Sequence, residues 1–332
     1  MQSPCWLFGA IRQYLEKPLE PLLLKAGCKT YCTVMNIHKH ILEYTHRHIH
    51  TIGILAILSV VGALFINGSG IAWHTSTTII PVKNTSSWAV GDAFAQSKPY
   101  VHAPKGRVSA GILPHHTLVA PLLAAFFRGI ENSPLSTVVI VGPDHGNAGR
   151  AYVTTARYLW DTPDRVVPAN QELIQTLVDR GVAVYDDALI RREPSVSAVV
   201  PYLAHQFPEA TVVPLALRGD LRSDKLEQLA DVLADLLGPH DLVLASVDFS
   251  HYKDIVGART DDQISLSAIA SMDADAALHA PVDSPPSLSL IIRYAQLRGL
   301  SYQELVHTNS AEFLHDLTLP STTSYLTAYF YQ

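Results

Sequence analysis

The sequence predicts an α/β domain in which a mainly parallel sheet carries helices on both faces. From about residue 100 to the C terminus, short apolar runs alternate with longer stretches of helical periodicity, which is typical of such sheets. Hydrophobic residues make up 48% of the chain and charged residues 16%, a balance that suits a well-buried core. A domain of about 230 residues is also large enough to enclose a sheet of this kind.

The individual elements are predicted from the length and period of each segment. Short apolar runs that stop at turn residues are predicted as strands: 108–113, 137–142, 182–185, 211–217, 242–247 and 324–331. Longer amphipathic segments are predicted as helices: 118–130, 169–180, 196–206, 222–237, 261–271 and 287–297.

A long uncharged segment precedes this domain. No Asp, Glu, Lys or Arg lies between Arg47 and Lys83, and residues 52–66 are apolar apart from Ser59 and glycines. Residues 51–73 approach the roughly 20 residues that span a bilayer, so we expect one transmembrane helix. A buried core helix would need a polar face that this run lacks. A cleaved signal peptide would not follow an arm of about fifty residues.

The segments around this helix differ in charge. Residues 1–50 carry six Lys or Arg against three Glu, a net charge of +3, whereas the remainder carries 18 basic and 27 acidic residues, a net charge of −9. We expect a basic juxtamembrane arm over 1–50, a Ser/Thr-rich linker over 74–99 and a domain over 100–332. Since the acidic part offers no nucleic-acid surface, no nucleic-acid partner is expected.

The expected membrane orientation rests on a small difference in positive charge between the two sides of the helix. Basic residues flank both ends of the helix, and five histidines between residues 38 and 50 add positive charge to the N-terminal side when protonated. We expect a single-pass membrane protein with its large C-terminal domain outside the cytoplasm. Cys5, Cys28 and Cys32 all precede the helix. The spacing of Cys28 and Cys32 is compatible with metal binding. The alternative is that both cysteines belong to a loosely ordered arm.

Three of the predicted strands end next to histidines. The first is followed by His115 and His116, the second by His145, and the fifth by Asp248 and His251. Ligands in open α/β sheets are usually held beyond the carboxyl ends of the strands. The glycine patterns of nucleotide-binding loops are absent, so no nucleotide cofactor is expected. Imidazoles that meet a carboxylate at one edge point to a metal, and two histidines with one carboxylate suit non-haem iron.

Each of these residues also has an ordinary structural explanation. His115 or His116 is as suited to capping the next helix as to binding metal. Asp248 either orients His251, a candidate for proton transfer, or caps the helix that follows. The remaining histidines of the domain are expected to be surface or packing residues, among them His205, His240, His279, His307 and His315.

A series of motifs runs through the domain in a fixed order: ILPHH, VIVGPDHG, EPSVSAVVPYL, LVLASVDFSHY and SYLTAYF. This order resembles the Memo family, known in bacteria and archaea as AmmeMemoRadiSam system protein B, over residues 100–332. The resemblance implies a fold similar to that of class III extradiol dioxygenases, with a pocket able to bind metal. It also implies a ligand set at His115, His145 and Asp283, the last at the position where the family usually has a cysteine.

Two departures from the family pattern bear on the chemistry. The family segment E-H-S-hydrophobic-E is EPSVS here, from Glu193 onward. Its histidine and second acid are lost, which leaves Glu193 as the acid available for proton transfer. An aspartate at position 283 turns the implied ligand set into two histidines and one carboxylate, as in the dioxygenases.

Two functions remain open. One is a metal-dependent oxidoreductase that holds iron or copper on the implied ligands. In that case His251 handles protons for a small substrate, Asp248 fixes the His251 tautomer, and Glu193 is the acid retained in the EPSVS segment. The other is a non-catalytic, membrane-tethered module whose pocket binds a metal, a peptide or a protein. Ligand atoms that share one metal through bonds near 2 Å lie within about 5 Å of one another. The distances among His115, His145 and Asp283 therefore test whether these residues can form one metal site.

Overall fold

A mixed sheet between two layers of helices forms the body of the domain. The computed structural model describes residues 79–81 and 89–332. Within these residues there is one sheet of nine strands and a second of three strands.

The strands are numbered in chain order. They are β1 (Ile79–Pro81), β2 (Val108–Leu113), β3 (Thr137–Pro143), β4 (Val153–Thr155), β5 (Leu159–Asp161), β6 (Val166–Pro168), β7 (Val184–Tyr185), β8 (Thr211–Leu217), β9 (Asp241–Ser246), β10 (His251–Lys253), β11 (Ser301–Asn309) and β12 (Thr322–Tyr331).

The α-helices are numbered in the same way. They are α1 (Val90–Gln96), α2 (Ala120–Gly129), α3 (Gln171–Asp179), α4 (Asp187–Ile190), α5 (Pro194–Ser197), α6 (Val200–Gln206), α7 (Ser223–Leu236), α8 (Ile255–Ala270), α9 (Ala274–Ala277), α10 (Pro285–Leu297) and α11 (Ser310–Phe313).

The strand order of the large sheet is β10-β12-β2-β9-β3-β8-β4-β7, and β11 also pairs with β12. The four central strands are parallel, and Val139 of β3 pairs with both Val213 of β8 and Val243 of β9. By contrast, β12 is antiparallel to β2, β10 and β11, and β4 is antiparallel to β8. The prediction of a mainly parallel sheet is therefore right for the centre and wrong for the whole sheet, which is mixed.

Both faces of the central strands are buried under helices. Val139 and Val141 of β3 share one apolar core with α3, α7 and α10, while Val138 and Ile140 share the other with α1, α2 and α6. All seven residues of β3 are buried. Strands covered on both faces are apolar throughout, which is why these runs are visible in the sequence. Helices on both faces were correctly predicted.

Several elements of the fold differ from the predicted ones, and two of them have a clear physical reason. Strand β11 was not predicted, because it is a half-exposed strand whose sequence, SYQELVHTN, contains no continuous apolar run. Helix α8 begins at Ile255 and not at residue 261, because the Asp254 carboxylate caps it by accepting the backbone N–H of Gly257 at 2.8 Å. An N-cap bond of this kind fixes the first turn.

The predicted linker over 74–99 is partly folded. Strand β1 pairs with β5, and α1 buries Val90, Ala93 and Phe94 in the core. The folded domain therefore begins before residue 100. The predicted arm at 1–50 and the predicted transmembrane helix at 51–73 lie outside the described residues. No helix in the described part of the chain has both the length and the apolar character needed to cross a bilayer.

Candidate metal centre

Four polar side chains gather at the C-terminal edge of the parallel strands. His115 follows β2, His145 follows β3 and Asp248 follows β9. Asp283 lies in the loop before α10 and is tied to this edge by two bonds. Its backbone N–H donates to the carbonyl oxygen of Asp248 at 3.1 Å, and the N–H of Asp248 donates to Oδ1 of Asp283 at 3.1 Å.

His115, His145 and Asp283 place three ligand-type atoms within 4.8 Å of one another. Nε2 of His115 lies 3.0 Å, and Nε2 of His145 3.8 Å, from Oδ2 of Asp283. The two imidazole rings are nearly perpendicular, at 88°, with their centroids 5.2 Å apart. The structure therefore assembles the set expected from the sequence, within the spread of about 5 Å that one shared metal allows.

The Oδ2 atom of Asp283 is the clearest indication of a ligand. It is buried, and no hydrogen bond of acceptable geometry reaches it in the described chain, although Nε2 of His115 is close. A buried polar atom without a partner is rare and costly. A cation between this oxygen and the two imidazole nitrogens would remove that cost, so the residues present fit a metal ion.

A buried serine fixes the tautomer of His115. Oγ of Ser246 donates to the carbonyl oxygen of Ser195 at 2.6 Å and lies 3.2 Å from Nδ1 of His115. Because a hydroxyl group has one hydrogen, Ser246 accepts the N–H of Nδ1. The lone pair of the neutral His115 ring is then on Nε2, the atom that faces Asp283.

Glu193 orients His145 in the same way. Its Oε1 lies 2.8 Å from Nδ1 of His145, and its Oε2 accepts the backbone N–H of His145 at 3.1 Å. Oε1 also accepts the backbone N–H of Ser195 at 3.0 Å, which caps α5. The carboxylate therefore holds Nδ1 of His145 as the donor and leaves Nε2 for a metal. Such carboxylate–histidine pairs commonly support metal ligands.

Carboxylates dominate the electrostatics of the cluster. Burial by itself lowers the pKa of His115, but Asp248, Asp283 and Glu193 together raise it to about 9. The pKa of His145 is raised, chiefly by its hydrogen bond to Glu193. Burial raises the pKa of Glu193, but its hydrogen bonds, above all that from His145, hold it below the usual value. The site is therefore built to attract positive charge.

The cluster opens into a cavity of about 560 Å³. His116, His251 and Tyr252 also line it, and among the described residues of its wall there is no Lys or Arg. A cavity of this size admits a small molecule.

A family model described as "Memo-like protein" matches residues 90–289, more than half of the chain. The chain belongs to the Memo-like protein family. A MEMO1 family protein of Thermotoga maritima is 31% identical to it over 151 residues, which cover 45% of this chain and 54% of that relative. A MEMO1 family protein of Thermoplasma acidophilum is 24% identical over 247 residues, which cover 71% of this chain and 90% of the relative. This chain thus spans about half the length of the Thermotoga relative.

A solved structure of an uncharacterized protein from Escherichia coli K12 also aligns with this Memo-like protein. The alignment covers 67% of this chain and 99% of the other, with 14% sequence identity and a TM-score of 0.46. A score this low carries no weight for fold or function.

In this Memo-like protein, Asp248 has a different partner from the predicted one. Its Oδ1 accepts the backbone N–H groups of His115 at 3.0 Å and His116 at 3.4 Å, so it holds the turn after β2. No hydrogen bond in the described chain joins it to the ring of His251. The alternative, a helix cap, is supplied by Asp254 instead.

His251 lines the cavity beside a bulge in β10. Its ring packs against that of Tyr252, with centroids 5.5 Å apart. Tyr252 has a positive φ of 59° at the register shift between β10 and β12. Bulges of this kind re-aim neighbouring side chains. No hydrogen bond of the described residues engages the His251 ring, so both of its nitrogens stay available.

His116 and Tyr325 form a pair that the sequence did not reveal. Nδ1 of His116 makes a short hydrogen bond with the hydroxyl group of the buried Tyr325. Burial raises the pKa of Tyr325, so its hydroxyl stays protonated. Burial also lowers the pKa of His116, and its side chain does not cap the helix that follows. The lowered pKa favours a neutral His116 ring, and its Nε2 atom has no hydrogen-bond partner in the described chain.

Ser246 is the other site residue that sequence reasoning missed. It is fully buried at the end of β9. Its signal was available, because a hydroxyl group inside an otherwise apolar strand must find a hydrogen-bond partner. For Tyr325 the sequence gives no comparable signal, since tyrosine is common in half-buried strands.

Proposed function

We propose that this Memo-like protein is a metal-dependent oxidoreductase that holds iron(II) on His115, His145 and Asp283. Two imidazoles and one carboxylate are the donors that leave open positions on non-haem iron, and imidazoles also suit copper, the alternative ion. The observation that carries the proposal is the buried Oδ2 atom of Asp283, which lies 3.0 and 3.8 Å from the Nε2 atoms of His115 and His145. It has no other partner in the described part of the chain.

The chain's own residues prepare this site before any ion binds. Ser246 and Glu193 hold the rings of His115 and His145 with Nε2 towards Asp283, so little ordering is left for ligand binding. When bound, iron would supply redox chemistry and open coordination positions to a small molecule in the cavity. Copper would supply redox chemistry in its place.

His251 is the residue that we assign to proton handling. It lines the cavity, and its ring nitrogens have no hydrogen-bond partner among the described residues. A ring nitrogen that faces the cavity without a partner can accept or donate a proton. Glu193, by contrast, is committed to His145 and Ser195, which favours a positioning role over the proton-transfer role expected from the sequence.

The alternative function is a non-catalytic module whose pocket binds a metal, a peptide or a protein. Pro194 lines the cavity at the position where the resembling motif would supply a histidine. A pocket can keep its metal ligands after losing the groups that a reaction needs.

Elemental analysis of the full chain, purified in detergent, tests the metal site. The protein is stripped with a chelator and reloaded with Fe²⁺ without oxygen, beside His145→Ala, Asp283→Asn and His240→Ala. His240 precedes β9, at the opposite end of that strand from Asp248, and serves as the matched control. We expect iron in the wild type and in the control, and a large loss in the other two variants. Negligible iron in all four proteins would contradict the proposal.

Oxygen consumption by the iron-loaded protein, with ascorbate as reductant, separates the two functions. An oxidoreductase is expected to consume oxygen faster than the same concentration of free iron, and His145→Ala is expected to lose this excess. Tight iron binding without any excess consumption would instead support the binding module.

We also propose that residues 51–73 anchor the protein in a membrane, with the domain outside the cytoplasm. The support is the absence of charge between Arg47 and Lys83. Protease treatment of sealed vesicles tests this topology. Digestion of the domain from the cytoplasmic side would contradict the proposed orientation.

A further inference from the structure

A second trio of ligand-type side chains lies beside the first. Asp248, His251 and Asp283 also place one ligand atom each within 4.8 Å of one another. Asp283 is the residue common to the two trios. The second trio takes one member from the turn after β9, one from β10 and one from the loop before α10.

The donor atoms of the second trio are available. Oδ1 of Asp248 accepts two backbone N–H groups, but no hydrogen bond of the described residues reaches its Oδ2, and Nε2 of His115 is 3.7 Å away. The His251 ring contacts Tyr252 and makes no hydrogen bond in the described chain. By contrast, His115, His116 and His145 each have a partner on Nδ1.

Asp283 connects the two trios. Its side chain is 10% exposed, and its buried Oδ2 has no hydrogen-bond partner in the described chain. A carboxylate can bridge two cations. In Asp283, Oδ1 already accepts the backbone N–H of Asp248, which leaves Oδ2 for metal binding. Oδ2 is therefore the atom on which both trios converge.

The charge of the pocket also favours more than one cation. Asp248, Asp283 and Glu193 have side chains that are 6%, 10% and 5% exposed, and no Lys or Arg lines this pocket within the described chain. With both metal-binding histidines neutral, three carboxylates and one divalent ion leave a net charge of −1. That residual negative charge would attract a further cation.

We propose that the pocket holds two divalent cations bridged by Asp283, the second of them bound by Asp248 and His251. Two carboxylates and one imidazole form a harder donor set than the first trio, which suits Mn²⁺, Fe²⁺ or Zn²⁺. Cations in two-metal sites lie roughly 3.5–4 Å apart, close enough for their spins to couple. The inference goes beyond the proposed oxidoreductase. In the two-ion state His251 is a metal ligand, and this role replaces the proton-handling role assigned to it above.

Metal stoichiometry of the full chain tests the second site. The stripped protein is dialysed against Mn²⁺ and, without oxygen, against Fe²⁺. Bound metal per chain is measured by elemental analysis, and the Mn²⁺-loaded protein is examined by electron paramagnetic resonance. We expect two ions per chain and a spin-coupled Mn²⁺ signal. In His251→Ala we expect one ion and an uncoupled signal, and in the control His240→Ala two ions.

The outcomes separate this inference from the proposed function. One ion that survives His251→Ala and is lost in His145→Ala would overturn the second site and keep the first. One ion lost in both variants would mean a single shared ion, and it would also overturn the two-ion site. Fewer than one ion of either metal in the wild type would overturn both. The wild-type count needs no variant, and circular dichroism checks that His251→Ala is folded.

Discussion

Glu193 accepts a hydrogen bond from Nδ1 of His145 at 2.8 Å, and the same carboxylate accepts the backbone N–H of that histidine at 3.1 Å. These two bonds fix both the tautomer and the direction of the His145 ring. Because His145 is the most exposed of the three candidate ligands, with its side chain 42% accessible, its orientation depends strongly on this partner.

Replacing Glu193 with glutamine should weaken metal binding. Glutamine is close in shape, but it cannot accept a charge-assisted hydrogen bond from Nδ1. Loss of such a supporting partner typically lowers metal affinity by about 10- to 100-fold. Competition titration against a fluorescent chelator measures the affinity. Glu172→Gln, on the exposed first turn of α3, is the control, and equal affinities in the two variants would show that Glu193 has no such role.

Replacing Ser246 with alanine should destabilise the protein. The change leaves the carbonyl oxygen of Ser195 and the Nδ1–H of His115 without their partner, at a cost of about 1–3 kcal/mol in the free energy of unfolding. Urea denaturation measures the loss. Ser109→Ala is a matched control on β2, because the hydroxyl of Ser109 is buried and has no partner among the residues that the structure describes, so its removal should be nearly neutral. A loss of the same size in both variants would refute this explanation.

Metal affinity should rise with pH. The pKa of His115 is about 9 without metal, so below that pH an ion must displace a proton from the ring. For each proton released, the apparent affinity is expected to rise about tenfold per pH unit, and to level off near pH 9. Calorimetry in buffers with different ionisation enthalpies counts the protons released. An affinity that does not change between pH 6 and 8 would rule out His115 as a ligand.

His307 should stabilise the fold in a pH-dependent way. Its Nε2 lies 2.9 Å from Oδ2 of the buried Asp262, and this bond is the first cause that raises the pKa of His307 above 6.5. A raised pKa adds stability below the unfolded value, and this stability is lost as pH rises through the folded value. The effect of His307→Ala on unfolding free energy should therefore be larger at pH 6 than at pH 8.5, by up to about 1 kcal/mol.

Urea denaturation of the wild type and of His307→Ala across this pH range measures the difference. Working with the difference removes contributions from the histidines of the metal centre, which titrate in both proteins. A difference that stays constant with pH would mean that His307 contributes packing alone.

The sequence was informative for the four central strands, where burial is almost complete. The central strands are covered on both faces, so their apolar runs and abrupt ends were visible, and the histidines after them could be placed at one edge. Strand β11 is half-exposed and mixes polar and apolar residues, so no hydrophobic periodicity identified it as a strand. The start of α8 depends on the N-cap residue Asp254. The local sequence did not show that this aspartate, and not a neighbouring acidic residue, caps the helix.

What the sequence determined by itself was the family, the α/β class, and the three residues that meet at the sheet edge. Only the tertiary structure decided which atoms face one another: Glu193 bonds to His145, Asp248 holds the turn at His115, and His251 stays unbonded. The reason is physical. Strand identity follows from local burial patterns, whereas a hydrogen-bond partner is chosen by distances across the fold, between residues whose spacing along the chain carries no information about their contact.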